Sequence, residues 1–229
     1  MKSIIFDTGP IISLSLNSLL WVLEPLKKQF GGKFYITSSV KKELVDKPFL
    51  IKRFKFEAMQ IMHYIDNGIL EVIEETPELK KMTEELLYFA NNTFFAYGKP
   101  IDILHDAEVE TFCACELLKG DAVVFDERTM RLIIEKPEQL RTILSNKLHT
   151  PLAINKENLT KIKEKIDDVK VIRSSELAVV AYKLGLLKQY IPNIKQANEN
   201  ILDGILWGLK LNGCSIADSE IDYISRKEA

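Results

Sequence analysis

A chain of 229 residues is long enough to bury a full hydrophobic core, either as one large domain or as a domain carrying a big insertion. Its 31 Lys+Arg against 33 Asp+Glu leave a net charge of -2, so there is no global basic signature of nucleic-acid binding and any phosphate contact must rest on local patches. Three cysteines is an odd number, with Cys113 and Cys115 too close in a helical stretch to form a disulfide framework, and no run reaches the ~18 apolar residues of a membrane helix. The opening MKSIIFDTGP has only three consecutive apolar residues before an aspartate, too few for a signal-peptide core, so the expected setting is the reducing cytoplasm, without a membrane.

In chain order, strand and helix patterns alternate as they do in layered α/β proteins. SIIF (residues 3–6) reads as a strand bounded by Asp7, Thr8, Gly9 and Pro10, and IISLSLNSLLWVLEPL then shows helical apolar spacing. After the Gly31-Gly32 turn, KFYIT reads as the second strand, and SSVKKELVDK opens a helix with cap-type serines and carries Glu43 in its second turn. Residues 48–100, with long charged helices and the Phe-rich ANNTFFAYGKP, look like a helical insertion between core elements. ILHDAEVETFCACELLKG reads as a helix ended by Gly120, followed by the strand DAVVF and a helix opened by DERTMRLII. DVKVIRS is the expected last strand, SELAVVAYKLGLL the helix after it, and the remainder is helical.

Four acids sit at the boundaries of these elements: Asp7 and Asp126 close the first strand and the strand DAVVF, and Glu43 and Glu108 lie in early helical turns. A parallel sheet brings strand-end acids to one edge, where carboxylates suit hard divalent cations. Each acid also has an ordinary reading as a helix cap or a dipole partner, and for Asp7 and Glu43 taken singly that reading is the stronger. Residues two apart on a helix diverge by roughly 200°, so Glu108 is expected to share an apolar face with Thr111, Phe112 and Cys115, away from Asp106 and Glu110. The histidines His63, His105 and His149 have no paired ligand spacing for zinc, and Gly31-Gly32 lacks the residues of a phosphate loop.

The acids in this order, within SIIFDTGPIISL, SSVKKEL and HDAEVETFCACELLKGDAVVFDERTMR, resemble the PIN-domain nucleases. VIRSSELAVVAYKLGLL and ILDGILWGLKLNGCSIADSEIDYI are similar to the tail of a prokaryotic subgroup of toxin type, so the resemblance spans residues 1–47, 102–135 and 169–226. It implies a single PIN-like domain over 1–229, a three-layer α/β/α fold around a central parallel sheet, with 48–100 inserted. It also implies a metal-dependent ribonuclease whose catalytic acids Asp7, Glu43, Glu108 and Asp126 hold Mg2+ or Mn2+, with Thr8 beside the first. RNA is the implied substrate, and a homodimer and an antitoxin protein are the implied partners. Where the subgroup has Gly-Glu before its third acid this chain has His105-Asp106, which leaves Asp106 and Glu108 both open as the third metal ligand.

Two other readings compete with the nuclease: a PIN-like scaffold or nucleic-acid-binding module, and an unrelated α/β protein whose strand-end acids are caps. Within the insertion, Lys52, Arg53 and Lys55 alternate with Phe54 and Phe56, a pattern compatible with phosphate contacts and base stacking. The stronger expectation there is a core stripe of Phe54, Ala58, Ile61 and Ile65 with the cations on its solvated side. Leu20, Trp21 and Trp207 exceed what one small sheet should cover, which supports the homodimer.

Overall fold

The computed structural model describes residues 2–166, 169–191 and 197–228. The first strand, β1 (Ser3–Phe6), passes directly into α1 (Thr8–Leu16), because Asp7 keeps extended geometry and its carboxylate accepts the Gly9 N–H at 3.3 Å. The apolar spacing that suggests one continuous helix is cut at Asn17 and Ser18. There the Asn17 amide donates to the Ser13 carbonyl at 2.7 Å, and Ser18 turns to a φ of 56°. A short 3-10 turn (Leu20–Val22) then starts α2 (Leu23–Phe30) in a new direction.

Next come β2 (Lys33–Thr37), α3 (Ser38–Lys41), a π-wound turn (Lys42–Asp46) and the short α4 (Lys47–Phe49). The cap of α3 is Thr37, whose hydroxyl accepts from Val40 N at 3.3 Å, one residue earlier than the serines expected for it. Then follow α5 (Lys55–Asp66), β3 (Glu71–Ile73), α6 (Pro77–Asn91), β4 (Phe94–Ala96) and β5 (Lys99–Pro100). The central run is α7 (Asp106–Leu118), β6 (Ala122–Val124), α8 (Thr129–Glu135), α9 (Pro137–Leu148), β7 (Ala153–Ile154) and α10 (Lys156–Ile166). The chain ends with β8 (Val171–Ile172), α11 (Ser174–Lys183), α12 (Ala197–Leu211) and α13 (Asp218–Glu228). The strand expected over 168–174 is therefore reduced to two residues, and its first position, Asp168, lies outside the described residues.

Five strands form one parallel sheet in the order β3-β2-β1-β6-β8. Phe6 stands opposite Ile36 on one side and Val124 on the other, so the carboxyl ends of the three middle strands are level. Side chains alternate across the sheet: Ile4, Phe6, Phe34 and Ile36 pack with α1, α2, α11 and α12, while Ile5, Val123 and Phe125 pack with α6, α7 and α10. The result is the three-layer α/β/α fold, buried on both sheet faces as parallel sheets require.

The segment 48–100 is not a purely helical insertion. Its Glu71–Ile73 is the edge strand of the main sheet, paired with Tyr35–Thr37, and its Phe94–Ala96 is the middle of a separate antiparallel sheet, β5-β4-β7. Three residues are too few to display a period-2 pattern, and the edge position leaves them only half-buried. Two lysines fix this edge, Lys33 at 2.6 Å and Lys27 at 3.1 Å from the Glu71 carboxylate. The aromatic excess is absorbed within the chain. Leu20 is buried, Trp21 packs against the core with its ring 6.2 Å from Tyr190, and Lys210 lies over the Trp207 ring at 4.9 Å.

Candidate functional site

The level strand ends bring Asp7 and Asp126 to one edge. Asp7 N donates to the Val124 carbonyl at 3.0 Å, and a Cβ added at Gly9 would lie 3.6 Å from Asp7 Oδ2 and 3.7 Å from Asp126 Cβ. Glu43 reaches this edge from the π-wound turn, where its Oε2 accepts the Thr8 hydroxyl at 2.7 Å. Glu108 reaches it from the first turn of α7, steadied by the His105 N–H at 2.9 Å.

Asp7 is 5 % exposed, and its Oδ1 has no hydrogen-bond partner among the described residues. Burial pushes its carboxyl up from 3.8 to about 7, against the N–H groups of Thr8 and Gly9, and the negative charges of Glu108 and Glu43 push the same way. Partial burial also raises Glu108 against its bond from His105, with Glu127 and Glu43 adding repulsion. Asp7 does cap α1, as the ordinary reading has it, through one long bond. A cap alone has no need of an unpartnered oxygen surrounded by like charge.

Asp126 is at the same edge but differently engaged. Its Oδ1 accepts Ser174 N at 2.8 Å, and its Oδ2 accepts the hydroxyls of Ser174 at 2.8 Å and Ser13 at 2.9 Å. Ser13 also reaches the Asn212 carbonyl at 3.1 Å, and Ser215 N donates to the Asp126 carbonyl at 2.9 Å. Both oxygens expected to face a metal are thus turned into a joint between α1, α11 and the segment after α12. In the sequence, two serines 161 positions apart give no sign of a shared partner.

Asp106, the other choice for the third acid, is exposed and lines a separate polar cavity of about 240 Å3 with Ser39, Thr83 and Glu110. The acid most deeply buried on α7 is Glu110, 3 % exposed, which accepts the Thr37 hydroxyl at 3.2 Å. Helical spacing singles out Glu108 as the inward acid only if α7 has one apolar face. In fact α7 is packed against the sheet on one side and α6 and α10 on another, so Val109, Glu110, Thr111, Phe112 and Cys113 are all buried.

Among the described residues no group of three or more His, Cys, Asp or Glu side chains is gathered closely enough to hold a metal ion. The donor chemistry of Asp7, Glu43, Glu108 and Glu127 nevertheless suits magnesium or manganese: all oxygen, mutually repelling, with one buried oxygen unused. No protein-family model matches the chain, and no curated protein or solved structure matches it at a significant level. Among the described residues no single helix is long and apolar enough to cross a membrane.

Proposed function

We propose that this chain is a divalent-metal-dependent ribonuclease of PIN-like type that hydrolyses phosphodiester bonds at the carboxyl edge of its parallel sheet. The observation that carries the reading is Asp7: a buried carboxylate with an unused oxygen, pushed up to about 7 by burial and by its acidic neighbours. Asp7, Glu43 and Glu108, with Glu127 beside them, would hold Mg2+ or Mn2+. When bound, such an ion supplies charge neutralisation and acidifies water.

The chain's own residues do the positioning. Thr8 fixes the rotamer of Glu43, and the His105 N–H fixes Glu108. Asp126 acts as scaffold, tying α1, which follows Asp7, to α11 and the segment after α12, rather than as a ligand. Cys113, Cys115 and Cys214 are free and buried thiols, which suits the cytoplasm.

The test is cleavage of a fluorescent single-stranded RNA with Mn2+ or Mg2+, by the wild type and by Asp7→Asn. Metal-dependent cleavage that disappears in Asp7→Asn is the expected result. A wild type without metal-dependent cleavage favours the second reading, an inactive PIN-like scaffold. The full hydrogen-bonding of Asp126 is the observation on that reading's side.

A further inference from the structure

The basic and aromatic stretch from α4 into the first residues of α5 is not absorbed by the acidic site. Between Lys47 and Phe56 the chain carries Lys47, Lys52, Arg53 and Lys55 and no acid, and all four cations are exposed. The aromatic residues are outside as well. Phe56 is 67 % exposed and Phe54 41 %, whereas Ala58 and Ile61, which complete the helical stripe, are buried. The core stripe therefore begins at Ala58, and the two phenylalanines ahead of it are left to solvent. Cations already sit on the aromatic faces, Arg53 at 5.2 Å from the Phe54 ring and Lys55 at 4.6 Å from that of Phe49.

This stretch borders a largely apolar groove of about 280 Å3 whose walls include Ile12, Leu16, Lys47, Ile51 and Phe54, and whose lining also includes the acids Glu43 and Glu57. Glu43 is the acid bonded to Thr8 next to Asp7. Glu43 is thus shared between the groove that holds Phe54 and the sheet edge that holds Asp7.

We propose that the stretch Lys47–Phe56 and this groove form the platform that holds a single strand of RNA, with Phe54 and Phe56 stacking bases and Lys47, Lys52, Arg53 and Lys55 contacting phosphates. The proposal rests on the ribonuclease reading for its occupant and supplies what that reading lacks, a way for a polyanion to approach a pocket of carboxylates. The phosphate contacts fall to the exposed stretch, whose four cations stand out in a chain that is acidic as a whole, and the apolar groove takes the bases. Every base has a π-face, so exposed aromatic rings interleaved with cations bind single strands with little regard to sequence.

The experiment measures binding of a fluorescein-labelled 12-nucleotide RNA by anisotropy, in EDTA and in the Asp7→Asn background so that nothing is cleaved. Lys52→Glu with Arg53→Glu is expected to weaken binding by at least about tenfold and to flatten its salt dependence. Phe54→Ser with Phe56→Ser is expected to weaken it about tenfold with the salt slope unchanged. Lys147→Glu with Lys163→Glu, on α9 and α10, controls for net charge and should do much less. Thermal unfolding checks each variant, and Lys52→Gln with Arg53→Gln replaces the charge reversal if that variant is unstable.

Equal binding by all variants overturns the platform, even if Asp7-dependent cleavage is present. RNA binding that follows these residues in a protein unable to cleave upholds the platform and removes the nuclease reading. If RNA binding is unchanged while the variants shift a self-association equilibrium or lose an acidic amphipathic peptide, the face belongs to a protein partner and the proposal falls.

Discussion

The Thr8 hydroxyl donates to Glu43 Oε2 at 2.7 Å, joining the end of β1 to the π-wound turn across 35 residues of chain. A π-wound turn places its side chains differently from an α-helix, and such turns recur at functional sites. This bond ties Glu43 to the residue after Asp7, whose carboxyl feels its negative charge. Thr8→Val keeps the shape and removes the donor. The expected outcome is a loss of about 1 kcal/mol in urea unfolding and a fall in metal-dependent cleavage of roughly tenfold. Thr8→Ser should restore both, and a Val variant with full activity would free Glu43 from its assigned role.

Asp7 sets a pH dependence whose sign is fixed. Its folded carboxyl titrates at about 7 against 3.8 for the free group, so the folded state holds the proton more tightly. That stability is fully present below about pH 4, is lost as pH rises towards 7, and amounts to roughly 4 kcal/mol at most. Other carboxylates add their own pH terms, so the quantity to measure is the difference between the wild type and Asp7→Asn. Without metal the Asn variant should be the more stable at pH 8 and should lose that advantage by pH 4. Mg2+ or Mn2+ should raise the Tm of the wild type at pH 8 far more than at pH 5, and should leave Asp7→Asn nearly unmoved. Equal stabilisation of both proteins at pH 8 would place the ion elsewhere.

Asp126 behaves in the opposite way. Asp126→Ala strips partners from the Ser174 N–H and from the hydroxyls of Ser13 and Ser174, all at a buried joint, and should cost about 3 kcal/mol in chemical denaturation. Asp126→Asn can still accept the Ser174 N–H, and the two hydroxyls can rotate to accept from its amide, so the cost should drop to about 1 kcal/mol. A stable Asp126→Ala protein that had lost all cleavage would move this residue from scaffold to chemistry.

Arg173, buried ahead of α11, joins Glu176 at 2.6 Å, Glu220 at 2.5 Å and the Ser215 carbonyl at 3.0 Å. Burial works against its charge, but the bonds to Glu220 and Glu176 outweigh this and hold it above its ordinary value. Both glutamates are more than a third exposed, so water screens part of the pairing. Arg173→Met should cost about 2 kcal/mol and loosen α13, seen as faster amide exchange over Asp218–Glu228. Protection unchanged in α13 would mean that apolar packing holds the helix alone.

Much of the layer order was legible from short apolar or aromatic runs: SIIF and AVVF are buried throughout, and KFYIT, half-buried at Lys33 and Tyr35, stands out by its β-branched and aromatic residues after the Gly31-Gly32 turn. Glu71–Ile73 did not, being three residues long with a charged residue at its start that pairs to two lysines. The stop of α7 illustrates a subtler error of position. Gly120 marks it in the sequence, yet Lys119 takes the left-handed conformation, and a Cβ at Gly120 would come within 2.7 Å of Ile5 Cδ1, so a larger residue there requires the Ile5 side chain to give way. For the site, the acids at strand ends could be found from topology alone. Which way each carboxylate turns depends on hydroxyls and N–H groups far along the chain, Ser13 and Ser174 for Asp126 and Thr8 for Glu43, and no local pattern encodes those meetings.

The joint at Asp126 also has a meaning for the order in which the chain is made. Asp7 and Asp126 lie in the first 126 residues, but the groups that clasp Asp126 come later, at Ser174 and Ser215, with Asn212 joined through Ser13. While it is being made, the chain therefore carries Asp7 and Asp126 before the clasp that ties their edge to α11 and the segment after α12. The joint is thus completed by residues made after both strand-end acids, and it closes only once α11 and the segment after α12 are in place.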